Sequence, residues 1–64
     1  MYTIKVIEKE EVQKQTHNVL NIIEHIDYII IDSDSAKAHL FCKEGSFVST
    51  INLNKCDIAI EKEV

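Results

Sequence analysis

The 64-residue chain has no arginine, no proline and no tryptophan, and a single glycine, Gly45. Each absence excludes something. Without arginine the chain lacks the planar fork that reads guanine and grips phosphate at two points. Its 7 lysines are outnumbered by 11 acids, for a net charge of −4, so nucleic acid is a disfavoured partner. Without proline, and with one glycine, no linker or low-complexity segment is visible. The chain therefore reads as one small domain, residues 1–64. No run approaches the roughly 18 apolar residues of a spanning helix, and no basic amphipathic face suits a membrane surface. The opening Met1-Tyr-Thr-Ile-Lys-Val-Ile-Glu8 becomes charged too soon for a secretory signal. Together these features predict a cytoplasmic protein, in which Cys42 and Cys56 stay reduced.

Hydrophobic residues make up 45% of the chain, enough for a folded core. A chain this short buries only roughly 60% of the surface its unfolded form exposes. Small scaffolds of this kind gain stability from a staple or a partner subunit, so a homodimer is expected.

The second half alternates in short apolar runs separated by turn chemistry. Asp27–Asp32 contains Ile29, Ile30 and Ile31 and predicts a strand covered on both faces. Asp32-Ser-Asp-Ser35 is a turn, because Asp and Ser side chains bond nearby backbone amides. In Ala38–Lys43, Ala38, Leu40 and Cys42 share one face, His39 and Phe41 the other. Glu44-Gly-Ser46 supplies the next turn. In Ser46–Leu53, alternation puts Phe47, Ile51 and Leu53 on one face and Val48, Thr50 and Asn52 on the other. After a turn at Asn54-Lys55, Cys56, Ile58 and Ile60 point inward. Asp57, Ala59, Glu61 and Glu63 point outward, a charged face that suits an edge strand. At the other end, Tyr2–Glu8 alternates as a strand, with Tyr2, Ile4 and Val6 opposite Thr3, Lys5 and Ile7.

Residues Lys9 to Ile26 admit two readings. At 100° per residue, Val12, Val19, Ile23 and Ile26 fall on one stripe, with Lys14, His17, Asn18, Asn21 and His25 opposite, which predicts an amphipathic helix. Composition opposes it: Thr16-His17-Asn18 is weak helix material and β-branched residues follow closely. The other reading makes Val12–His17 and Val19–Glu24 strands. The strand reading gives a mainly β fold, a small antiparallel meander curled into a barrel or sandwich. The alternative is α+β, with a helix at about 9–26 packed on a four-stranded antiparallel sheet.

No constellation predicts catalysis. Tyr28–Ser35 superficially matches the aspartyl nucleophile strand of haloacid-dehalogenase-type phosphatases. That chemistry needs a large α/β sheet, a lysine and further acids, which 64 residues cannot supply; the turn reading accounts for both aspartates. His39, Cys42 and Cys56 lack metal-ligand spacing: residues three apart on a strand diverge. His17, His25 and His39 have no nucleophile at local spacing. No metal and no cofactor are expected, and the chain is not expected to be an enzyme. The predicted partner-binding feature is an acidic fringe of Glu8, Glu10, Glu11, Asp57, Glu61 and Glu63, formed if the first and last strands are neighbours. Tyr2, Tyr28, Phe41 and Phe47 are the only aromatics. Any of them left exposed becomes a partner-binding anchor or a base-stacking platform.

Asn18-Val-Leu-Asn-Ile-Ile-Glu24, Asp27-Tyr-Ile-Ile-Ile-Asp32 and Ile51-Asn-Leu-Asn-Lys-Cys-Asp-Ile-Ala-Ile-Glu-Lys-Glu63 resemble very small β-rich proteins of phages and mobile elements of low-GC Gram-positive bacteria. The resemblance covers most of the chain and transfers no catalytic residue. It implies strands rather than a helix over Val12–Glu24. It also implies a class of function, since some similar proteins inhibit bacterial defence systems, RNA-guided nucleases among them. The expected function is a non-catalytic protein-binding module of this inhibitory kind. The alternatives are a small nucleic-acid-binding barrel and a structural or homo-oligomerising accessory protein.

Overall fold

A computed structural model describes residues 1–9 and 18–64. The described residues form six strands and no helix: β1 (Tyr2–Glu8), β2 (Val19–Ile26), β3 (Tyr28–Asp32), β4 (Lys37–Phe41), β5 (Phe47–Asn52) and β6 (Cys56–Lys62). They pair into two antiparallel three-stranded sheets of order β2-β1-β6 and β3-β4-β5. The strands do not close into a barrel. The helix entertained for 9–26 is replaced over Val19–Ile26 by a strand; the predicted strand Val12–His17 lies outside the described residues.

One core serves both sheets. The central strands supply Ile4 and Val6 from β1 and Ala38 and Leu40 from β4, joined by Ile26 and Ile51. Ile23, Ile29, Leu53, Cys56 and Ile58 pack around them. Alternation explains the set. Ile4 lies opposite Ile60 and Val6 opposite Ile58, and directly opposed residues of an antiparallel pair share a face. The same logic sets Leu40 opposite Ile29 and Ala38 opposite Ile31 and Ile51.

The chain changes sheets between β2 and β3 through Asp27 alone, whose N–H donates to the Phe41 carbonyl at 2.8 Å. It returns through Leu53–Lys55, where Leu53 N–H donates to Ala36 O at 2.8 Å and Lys9 Nζ to Leu53 O at 3.1 Å. The Asp32 turn forms as expected: Oδ1 accepts the amides of Asp34 and Ser35, and Oδ2 accepts the Ser35 hydroxyl at 2.7 Å. Gly45 closes the β4–β5 turn at φ 79°, a left-handed conformation that favours glycine.

Two sequence expectations are corrected. Phe47 does not share the core face with Ile51. Leu40 pairs with Ser49 but Phe41 pairs with Phe47, so Val48 is an extra residue on β5. This β-bulge resets the alternation and turns Phe47 outward, where it is 60% exposed. Nor is β3 covered on both faces. It is an edge strand with no layer over its outer side among the described residues: Ile30, on that side, is 52% exposed, and Ile31, on the core side beside Ala38, is left 54% exposed at the sheet's edge.

Leu40 is fully buried in the shared core, so Leu40→Ala is expected to cost about 3 kcal/mol. A 64-residue chain has a total stability of roughly 3–10 kcal/mol at 0.05–0.15 kcal/mol per residue. Urea denaturation followed by circular dichroism should therefore show the variant largely unfolded or shifted to a much lower midpoint; an unchanged midpoint would contradict this core.

Candidate interaction surface

The outer face of the β3-β4-β5 sheet carries the residues the core does not take. Register aligns Tyr28, Phe41 and Phe47 in one row across the three strands, Ile30, His39 and Thr50 in the next, and Asp32, Lys37 and Asn52 in the third. The rings of Tyr28 and Phe41 stack with centroids 4.8 Å apart and planes 9° apart. Phe47 meets Phe41 edge-on at 6.0 Å and 73°. Pairs of this geometry contribute about 0.5–1.5 kcal/mol beyond their area. His39 Nδ1 lies 2.9 Å from the Thr50 hydroxyl, which orients the ring along the sheet. With Tyr28 and Phe47 exposed, and Ile30 exposed in the next row, the face carries aromatic and apolar surface.

One of the three rings was legible in the sequence: Phe41 alternates away from Leu40. The row as a whole was not, because Phe47 reaches it only through the Val48 bulge and Tyr28 only through the β3–β4 register.

The acidic fringe is distributed differently. β1 and β6 are neighbours, as the fringe requires. Asp57 stands opposite Ile7 and Glu61 opposite Thr3, four residues and about 13 Å apart along the strand. That separation exceeds the screening length of roughly 8 Å at physiological salt. Glu61 pairs with Lys5 at 3.0 Å. Glu8 accepts from Asn18 Nδ2 at 2.8 Å. Glu10 and Glu11 lie outside the described residues.

Glu63 is a clasp between strands. Its Oε2 accepts the His25 amide at 2.7 Å and the Thr3 hydroxyl at 3.0 Å, and its Oε1 lies 3.0 Å from His25 Nδ1. The clasp exists because β2 is bulged there: Tyr2 pairs with Ile26 but Ile4 with Ile23. The extra residue lets His25 adopt φ 62° and present its amide and ring together. The His25 amide is the main cause holding the Glu63 carboxyl below the ordinary glutamate value. Partial desolvation opposes it, and the Thr3 and His25 side chains reinforce it.

Cys42 and Cys56 are half-buried free thiols. Cys56 packs against the core as expected. Cys42 sits beyond β4, its amide and carbonyl committed to the turn through Ser46 and Gly45. Among the described residues, no three His, Cys, Asp or Glu side chains converge as metal ligands and no pocket opens. Among the described residues no helix is long and apolar enough to cross a membrane. Comparison of the chain with protein-family models, curated proteins and solved structures finds no match.

The sign of the Glu63 effect fixes its pH dependence. A carboxyl with a lowered folded-state pKa adds stability that is complete above the unfolded value and is lost as pH falls through the folded value. Asp32, lowered chiefly by the Ser35 hydroxyl and next by the Ser35 amide, acts in the same direction. Urea midpoints measured from neutral to acid pH should fall below the ordinary carboxylate range, and Glu63→Gln should flatten that fall. A parallel acid profile in the variant would show that the clasp is energetically silent.

Proposed function

We propose that the chain is a non-catalytic protein-binding module that engages its partner through the aromatic face of the β3-β4-β5 sheet. The observation that carries this reading is the Tyr28–Phe41–Phe47 row, with Tyr28 and Phe47 exposed, Phe41 half-buried between them and Ile30 exposed in the next row. Contiguous exposed apolar patches mark interaction sites, and rigid aromatic side chains are the usual anchors at the centre of an interface. The surrounding charge favours protein over nucleic acid. A base-stacking platform works beside a lysine- and arginine-lined phosphate track. Here Lys37 is the only lysine in the three rows, and it is paired across strands with Asp32.

The resemblance to small phage proteins supports a partner class, a bacterial defence enzyme such as an RNA-guided nuclease, met in the cytoplasm. The acidic residues of β6 would then contribute long-range attraction to a basic nucleic-acid-binding groove rather than the anchoring contacts.

The test compares the native chain with Phe47→Ser. This exposed position supports only one edge-on ring pair, so the substitution is expected to change stability by about 1 kcal/mol or less. Capture from a Gram-positive lysate should recover a stoichiometric protein partner with the native chain and little or none with the variant. Equal recovery by both would move the site elsewhere. Salt-sensitive binding to single-stranded DNA or RNA, lost in Phe47→Ser, would instead establish the nucleic-acid reading.

A further inference from the structure

The two sheets have four edges, and three of them carry features that discourage pairing with another chain. The β2 edge is broken by two register shifts, between its partners Tyr2 and Ile4 and between Val6 and Ile7. The β5 edge is bent by the Val48 bulge. The β6 edge places Asp57, Glu61 and Lys62 within seven residues; pairing two copies about its midpoint, Ala59, would set Asp57 against Glu61 of the other copy at both ends. Bulges and charges are the means by which soluble sheets block edge-to-edge association. The β3 edge has neither. Its register with β4 runs unbroken from Tyr28 to Asp32. It contains no lysine, and its one charged side chain, Asp32, is tied to Ser35. Among the described residues it pairs with β4 alone.

From this contrast we propose that β3 is the association edge of the protein and that its occupant is β3 of a second copy, antiparallel and centred on Ile30. A two-fold interface must be self-complementary, and this strand is. Centred on Ile30, each Ile29 faces the other copy's Ile31 on the core side, where Ile31 is left half-exposed in one chain. On the outer side Ile30 meets its own copy, and each Tyr28 faces the other copy's Asp32, a phenol donor against a carboxylate acceptor. No like charges fall opposite each other. The product is one continuous six-stranded sheet, β5-β4-β3-β3-β4-β5, that buries the free amides and carbonyls of both edges. Five residues a side is well short of the roughly 20–30 of a standard interface, so the association is reversible and populated at high protein concentration. It is independent of which partner the aromatic face binds.

Sedimentation equilibrium of the native chain up to millimolar concentration should approach twice the 7.4 kDa chain mass. Ile30→Lys brings two ammonium groups together at the axis and should return the chain to monomer mass with its strand circular dichroism intact. As a positive test, Ile30→Cys should form an intermolecular disulfide under mild oxidation, located by peptide mapping. Opposed residues in an antiparallel pair lie about 4.5–5.5 Å apart at Cα, within disulfide reach. Ile22→Cys, equally exposed on the other sheet, should not. A native chain that stays monomeric at millimolar concentration overturns the proposal. So does a dimer that survives Ile30→Lys, or one that cross-links through Ile22→Cys and not through Ile30→Cys. If Ile30→Lys fails to fold, the pair of cysteine variants decides alone.

Discussion

Two sheets share one core, and among the described residues nothing lies over their outer faces. Each sheet buries only its inner face, so the central strands β1 and β4 supply four of the six buried side chains and their neighbours form the rim. Six hydrophobic side chains are buried, against twelve large ones left exposed among the described residues. The imbalance follows from geometry. The described residues place no second layer over either outer face, so much of their apolar surface stays in contact with solvent and is available to other molecules.

Strands and turns were legible in the residues wherever alternation ran uninterrupted, but strand order was not: the single meander expected over the second half is split, because β6 leaves β5 and pairs with β1 in the other sheet. β6 and β4 are the clear cases: Cys56 and Ile58, and Ala38 and Leu40, meet the core as period-two reading assigns them, while Ile60, expected inward with them, lies at the rim and is left 53% exposed. The charged outer side of β6 correctly marked an edge. Legibility failed where a strand holds one residue too many. Ile23 and Ile26 are three apart, which on a plain strand means opposite faces and on a helix means the same face. In the structure both meet the core, because the bulge near His25 inserts a residue between them. A bulge thus counterfeits helical spacing, and the apparent helical stripe over Lys9–Ile26 owes part of its regularity to that coincidence. The same failure hid Phe47, and with it the completed aromatic row.

The bulges also link the molecule's parts. At β2 the extra residue lets one carboxylate, Glu63, collect donors from β1 and β2 and fasten the end of the chain to them. At β5 the extra residue supplies the third ring to the outer face. Acidic side chains that looked like a free fringe turn out to be partly spent on such ties: Glu61 on Lys5, Glu63 on His25 and Thr3. The aromatic row was less conspicuous in the sequence because its members are 13 and 6 residues apart along the chain and meet only through pairing.

Val48 is the residue that the pairing does not need. Ser49 stands opposite Leu40 and Phe47 opposite Phe41 with Val48 left over between them, so deleting Val48 would keep the three-ring row and remove only the bulge. What changes is the edge. β5 would become a plain strand whose outward amides and carbonyls run unbroken, the kind of edge that pairs with another chain. A single codon would then separate a guarded border from an adhesive one, with the core and the exposed rings left as they are.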